Sequence, residues 1–418
     1  MLSHQRHSAV VLLFKGGDRA MPGNYRPIAL LPVEVKVLAK ALACRLAAVL
    51  AAIIHPMQAG FVRGRRLHDH VVLLQNLAQH CTDVGDEGYA TFLDMYKAYD
   101  MVNWDWMYKV LDAVNIGPGF ISWVQLLYRD PSIQLLINGT LAPSLSPTRG
   151  VKQGCPLSSL LFVLSIEPLG QFLRHPTHVG SGIMLPDGRF VSTLFFADDT
   201  TLISNSRASA LHQLTLVDTY CQASGAKLNV AKCKTLVLNS RQGETAHPGL
   251  NVVPIGQPVK YLGVYFGHNL DPAYSVRQLN DRFYDAFRQW GSRARTLRGR
   301  VLLVNAVVLS MLWHTTAVTA IPADQVAKWQ SMVTKYVLGR KTAPTESMVV
   351  LVNATFQFDK STGLRVPHIA STLRKQRLVR LRNMLAEADS SLWASLSLAQ
   401  FARCSPLLGR PHDFLHYF

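Results

Sequence analysis

Cysteine is scarce in this chain: six in 418 residues, at positions 44, 81, 155, 221, 233 and 404, with no CxxC and no Cys/His ligand spacing. Neither a zinc module nor a disulfide framework is indicated, and a reduced, intracellular setting fits. Long apolar runs are also missing. Near the N-terminus only AVVLLF (9–14) precedes Lys15, shorter than the ~7–15 residues of a signal-peptide core, so no export signal is expected. The best membrane candidate, Val301 to Ile321, is interrupted by Asn305, His314 and threonines and preceded by Arg298 and Arg300. A buried helix is favoured over a span, and no membrane partner is expected. Acid is the scarcer charge: 26 Asp plus Glu against 43 Lys plus Arg leave +17. That shortage favours a polyanionic partner over an acidic small molecule, the alternative being a merely soluble basic surface. Charged residues make up 17% and hydrophobic ones 49%, which excludes general disorder and supports two or three subdomains.

With carboxylates so few, their placement matters. FVSTLFFADDTTLISNS (190–206) reads as two short strands joined by a tight turn that carries Asp198 and Asp199. Two acids at a half-buried tip suit a divalent cation with oxygen ligands, Mg2+ above all; an Asx-stabilised turn with no metal is the alternative. A two-metal phosphoryl-transfer site needs a further carboxylate to bridge ions about 3.5–4 Å apart. YATFLDMYKAYD supplies one, because Tyr89 to Leu93 reads as a buried strand and Asp94 falls at its end. Asp94, Asp198 and Asp199 are therefore the expected metal ligands, holding two Mg2+ ions with Mn2+ as a substitute.

The surrounding blocks carry a resemblance. NYRPIAL (24–30), AGFVRGR (59–65), FLDMYKAYDMVN (92–103), LLYRD (126–130), RGVKQGCPLSSLLF (149–162), FFADDT (195–200), LNVAKCKT (228–235) and YLGVYFG (261–267) follow in that order. In them the chain resembles the reverse transcriptases of non-LTR (LINE-type) retrotransposons, over most of its first 270 residues, with a weaker echo at LRGRVLLVN and GLRVPH. The resemblance implies an α/β (α+β) right-hand polymerase fold: fingers-like residues 1–85, a palm with a fingers insertion over 86–275, a helical thumb over 276–340 and a basic C-terminal extension over 341–418. It implies RNA-directed DNA synthesis from an RNA template, a DNA or RNA primer and dNTPs. It also implies a ribonucleoprotein acting in the nucleus. Relatives carry more sequence before the fingers and often an endonuclease, so the chain is expected to be N-terminally truncated. A catalytically inactive RNA-binding remnant of the same fold is the alternative.

Site roles follow from the same likeness. Arg65, and after it Arg63, would grip the triphosphate, since guanidinium forks suit phosphate oxygens; a solvated arginine loop would look the same. Tyr99, five residues after Asp94, would crowd the sugar 2′ carbon and refuse ribonucleotides, or serve as an ordinary core aromatic. Gln153 and Phe196 would touch the nucleotide, and Arg149 and Lys152 the template or primer. Lys232 would be the general acid if burial lowered its pKa, and otherwise a surface lysine. Tyr261, Leu262 and Gly263 resemble the hairpin that holds the primer.

Local signals complete the reading. Val33 to Ile54 is a helix with one basic face, Asn103 caps a helix over Trp106 to Val114, and Asn138-Gly139 turns a hairpin. Asp100 orders the turn before that capped helix. A helix is expected to start near Val71, with a loop over Cys81 to Gly88, and Pro156 should open the helix of Leu160 to Leu169. Arg293, Arg295, Arg298 and Arg300 suit phosphate tracking. The later cluster from Arg374 to Arg382 would bind RNA or solvate a helix face.

Overall fold

Strands form where β-branched and aromatic residues cluster between turn residues, and helices where apolar side chains recur on one face. The computed structural model describes residues 1–243, 247–338, 358, 359, 361 and 363–404. It has two units: Met1–His70 with Cys81–Val252, and Val71–His80 with Val253–Phe418. The class is α/β with mainly antiparallel sheets, as expected.

The first unit opens with α1 (Ser3–Arg6), β1 (His7–Phe14), β2 (Tyr25–Leu30), α2 (Val33–Ile53) and α3 (Leu67–Val84), whose middle turns group with the second unit. Next come β3 (Tyr89–Leu93), α4 (Trp104–Ala113), α5 (Pro118–Tyr128), β4 (Ser132–Ile137), β5 (Thr140–Leu141) and α6 (Ser158–Leu173). A small hairpin, β6 (Ile183–Met184) and β7 (Phe190–Val191), precedes β8 (Thr193–Phe196), β9 (Asp199–Ser204), α7 (Arg207–Ser224) and β10 (Lys234–Val237). One sheet runs β2-β1-β4-β5, with β1 and β4 parallel. The other runs β10-β3-β9-β8 and is antiparallel throughout.

Helix α6 is apolar on every side and is buried accordingly, its Leu161, Val163, Leu164, Leu169 and Leu173 wholly so. Each such side chain contributes about 1.5–3 kcal/mol by leaving water. Met107 and Leu111 of α4 and Leu42, Leu46 and Leu50 of α2 complete that core. At the edge of α6, buried Glu167 accepts from Arg174 at 2.7 Å. Removing one member would strand the other charge, at about 3–5 kcal/mol.

Asn103 caps α4, accepting from the Trp106 N–H at 3.1 Å, and Asn138 and Gly139 turn the β4–β5 hairpin with positive φ. Three local expectations need correction. Helix α3 starts at Leu67, not near Val71, and it runs to Val84, so the loop expected over Cys81–Gly88 shrinks to 85–88. The apolar face continues through buried Cys81, and Gly85 (φ +88°) then ends the helix in the left-handed conformation. Pro156 lies two residues before α6.

The second unit holds β11 (Val259–Tyr261), β12 (Val264–Phe266), α8 (Tyr274–Trp290), α9 (Leu297–Leu303), α10 (Ser310–Thr316), α11 (Ala323–Val337), α12 (Ile369–Ala386) and α13 (Leu392–Cys404). A π-helical turn, Val304–Val308, joins α9 to α10. By length and composition Leu297–Thr316 could cross a membrane. Of that stretch 22% is buried in the protein, with Val304, Val308, Leu309 and Leu312 packed beside Phe283, Trp329 and Val333 in the second core. The expected extension over 341–418 begins outside the described residues, and within it α12 carries five cations and no acid.

Candidate active site

Sheet register brings the acids together. Strand β3 pairs with β9 through Leu93↔Thr200, and one further step sets Asp94 opposite Asp199. Strands β8 and β9 close at Phe196↔Asp199, leaving Ala197 and Asp198 as a two-residue turn with Ala197 at φ +55°. That conformation suits glycine and costs an alanine about 1–2 kcal/mol. Asp94 is further fixed because its carbonyl accepts from the Asn229 N–H at 2.8 Å.

The turn is clamped from a distant stretch. Buried Gln58 accepts through Oε1 from the Ala197 N–H (2.9 Å) and the Gly60 N–H (2.8 Å), and its Nε2 donates to the Ala197 carbonyl (3.4 Å). The Ala59 N–H donates to the Phe195 carbonyl and the Phe195 N–H to that of Met57, both at 2.8 Å. A Cβ on Gly60 would lie 2.2 Å from the Ala197 nitrogen, so the approach requires glycine.

The carboxyls of Asp198 and Asp199 reach solvent at the tip, yet the surrounding protein removes part of their hydration. Burial, then the charges of Asp198 and Asp94, push Asp199 up to about 6. Asp198 is also raised, by burial and then by Asp94, while Arg26 and Lys15 pull it down. Mutual repulsion of this kind favours a cation between the acids. Among the described residues no three acidic, imidazole or thiol side chains stand close enough together to hold a metal ion as they are placed. Carboxylate oxygens are the donors that hard divalent cations take, with water and substrate phosphates filling the remaining positions.

Beside the acids, the 149–154 loop is stitched in place by backbone bonds. The Gly150 N–H donates to Val102, the Val151 N–H to Tyr99, and the Ala29 N–H to the Gln153 carbonyl, at 2.8, 2.8 and 2.7 Å. Gly150 and Gly154 both have positive φ, and a Cβ on either would meet a backbone oxygen, of Asp100 or Ala29, within 2.8 Å. Gln153 Nε2 donates to Asp100 Oδ1 at 3.4 Å, so the Asp100 carboxylate faces this loop. The Tyr99 ring stacks on Phe162, centroids 4.4 Å apart and 8° from parallel. Burial and the charge of Asp198 raise its hydroxyl pKa. Phe196 is half-buried at the base of the acid turn, Lys152 is half-buried with its pKa lowered by that burial, and Arg149 is exposed.

Not every expected residue joins this group. Arg65 is committed elsewhere: its guanidinium donates to the carbonyls of His55 (2.6 Å), Gln58 (2.7 Å), Ile54 (2.7 Å) and Ala51 (3.1 Å). It caps the orphan carbonyls at the end of α2, so the geometry gives it a structural task and not a phosphate grip. Arg63 is exposed on the adjoining loop. Lys232 is exposed on a 3-10 turn, so the burial that a general-acid role required is absent. Tyr261, Leu262 and Gly263 belong to the second unit, where they form the turn of β11 and β12.

Four residues near the acids escaped the sequence reading: Gln58, Gly60, Lys15 and Arg26. The two cations lie at the facing ends of β1 and β2, and both act on Asp198. The sequence cue was present in their motifs, a polar Gln in MQAGF, the Lys of KGGD and the Arg of NYRPIAL.

Residues 14–266 match the family model described as reverse transcriptase (RNA-dependent DNA polymerase). The chain is 30% identical over 401 residues to the "Transposon TX1 uncharacterized 149 kDa protein" of Xenopus laevis, covering 94% of this chain and 30% of that protein. It is 26% identical over 394 residues to the Retrovirus-related Pol polyprotein from type-2 retrotransposable element R2DM of Drosophila melanogaster, covering 91% and 36%. The chain thus spans 30% and 36% of the length of these two curated relatives. Among solved structures, apo telomerase from Candida tropicalis is 11% identical with a TM-score of 0.46, covering 95% of this chain and 70% of that one.

Proposed function

The chain belongs to the reverse transcriptase (RNA-dependent DNA polymerase) family, in its non-LTR retrotransposon branch, and from that premise we propose that it copies an RNA template into DNA. The observation that carries this reading is the meeting of Asp94, Asp198 and Asp199 at one end of an antiparallel sheet, held there by Gln58 and Gly60.

Asp94, Asp198 and Asp199 would hold two Mg2+ ions, or Mn2+. When bound, such ions activate a primer 3′-OH and neutralise the departing pyrophosphate. The chain's own residues then position and discriminate. Lys15 and Arg26, on the β1–β2 hairpin, supply positive charge toward Asp198 and would take the triphosphate in place of Arg65, with exposed Arg63 as a secondary contact. Gln153, its amide oriented by Asp100, and Phe196 would touch the nucleotide. Tyr99, made rigid by stacking on Phe162, would exclude a ribose 2′-OH. Arg149 and Lys152 would follow the template or primer, and the β11–β12 hairpin would hold the primer strand. In this reading the first unit supplies fingers and palm, and the helices of the second supply the thumb. Action inside the cell, on nucleic acid in the nucleus, accords with the family and with the basic composition.

Primer extension on an RNA template with Mg2+ or Mn2+ tests the proposal. Elongation with dNTPs in preference to rNTPs supports it, and tight RNA binding without any elongation favours the remnant.

A further inference from the structure

The β11–β12 hairpin turns through Leu262 (φ +45°) and Gly263 (φ +83°), between the pair Tyr261↔Val264. Two successive left-handed residues make a type I′ turn, which normally draws on Asn, Asp and Gly. Leucine is a poor choice for its first position. Its Cβ disfavours the conformation, and it lacks the short polar side chain with which Asn or Asp would bond the turn locally. Something outside the turn must therefore hold it.

His314 on α10 is placed to do so. Its Nε2 lies 2.7 Å from the Leu262 carbonyl oxygen. A carbonyl only accepts, so Nε2 carries the proton. The same nitrogen would be 2.7 Å from a Cβ on Gly263, so the imidazole fits the turn because that residue is glycine. Helix α10 is itself anchored on both sides of His314: Gln376 donates to the Trp313 carbonyl (2.9 Å) and accepts from Thr316 Oγ1 (3.1 Å). Strand alternation does the rest. Val259, Tyr261, Val264 and Phe266 are buried on one face, while the other face presents exposed Lys260, its Nζ 5.9 Å above the Tyr265 ring.

We propose that His314 is a positioning residue that locks the Leu262–Gly263 turn, so that Lys260 and Tyr265 meet the primer strand in one fixed orientation. This rests on the reading of the hairpin as the primer-holding element. Because His314 lies 52 residues from Leu262, the YLG motif alone gives no hint of it.

The test compares the full chain with His314→Leu, which removes the donor, and His314→Gln, whose amide restores an N–H at similar reach. Release of a fluorescein-labelled DNA primer annealed to RNA is followed after mixing with unlabelled competitor, a measurement that requires no chemistry. Release should be about tenfold faster in His314→Leu, the scale of one lost hydrogen bond, and should return to within about threefold of wild type in His314→Gln. Where extension is measurable, the KM for primer-template should rise about tenfold in His314→Leu and that for dNTP should stay within about twofold. Unchanged release in His314→Leu, or an equal defect in both variants, overturns the inference. If His314→Leu does not fold, His314→Ala carries the test, because it removes the donor without adding bulk beside Gly263; it should speed release similarly, and unchanged release in it overturns the inference. Failure of the wild type to elongate any primer defeats the polymerase reading but leaves the release comparison fully readable.

Discussion

Replacing Gln58 with leucine tests how firmly the acid turn is held. Gln58 is 1% exposed, and its Oε1 accepts from two backbone N–H groups, those of Ala197 and Gly60. Leucine matches the volume but offers no acceptor, so two buried N–H groups lose their partner. At about 1–3 kcal/mol for each stranded donor, the substitution should cost about 2–6 kcal/mol. A domain stable by about 5–15 kcal/mol would survive this, but with a visible loss. The turn has its own reason to relax, since Ala197 sits at φ +55°. Relaxation would carry Asp198 away from Asp94 and Asp199, and a displacement of about 1 Å at a reacting centre can cost about 10²-fold in rate. Urea unfolding should therefore show a lower midpoint at unchanged slope, and single-nucleotide incorporation should fall by about two orders of magnitude. A variant that unfolds at the wild-type midpoint and incorporates at the wild-type rate would refute the clamp.

Three further outcomes follow from the same geometry. Arg65→Ala should destabilise the first unit, since it uncaps α2, and should leave the KM for dNTP within about twofold; a selective rise in that KM would restore a phosphate role. Lys15→Ala and Arg26→Ala should each raise the KM for dNTP about tenfold with little change in thermal stability, and equal losses of stability and activity would count against a substrate contact. His70 is buried, and burial followed by the charge of Arg65 lowers its pKa from 6.5 to about 4. Between those values the unfolded chain binds more protons. The stability that His70 contributes is thus complete above about pH 6.5 and is lost as pH falls toward 4, by about 3 kcal/mol at most. Urea midpoints across that window should fall in the wild type and less so in His70→Leu, and parallel curves would contradict the assignment.

What sequence reasoning could see was local. Alternation in TLFFADDTTLIS marked the hairpin, the strand YATFL located Asp94, Asn103 declared itself as a cap, and Asn138-Gly139 announced its turn. Each depends on neighbours within a few positions. The clamp on Ala197 comes from a residue 139 positions earlier, and no periodicity or turn preference records such a distance. Arg65 misled for a related reason: a basic loop looks alike whether its guanidinium faces phosphate or helix carbonyls, and only the approach of α2's last turn decides between them. The end of α3 was misplaced because polar residues on its outer face hid the buried one, where Leu77 and Cys81 continue the helical spacing.

The central claim is that Asp94, Asp198 and Asp199 act together in nucleotidyl transfer. Its most direct test is single-nucleotide incorporation by Asp198→Asn beside the wild type, on the same RNA template and in the presence of Mg2+, with primer-template affinity measured in parallel. The account predicts that the variant binds as the wild type does and incorporates at least about 10³-fold more slowly. Incorporation at the wild-type rate would contradict it.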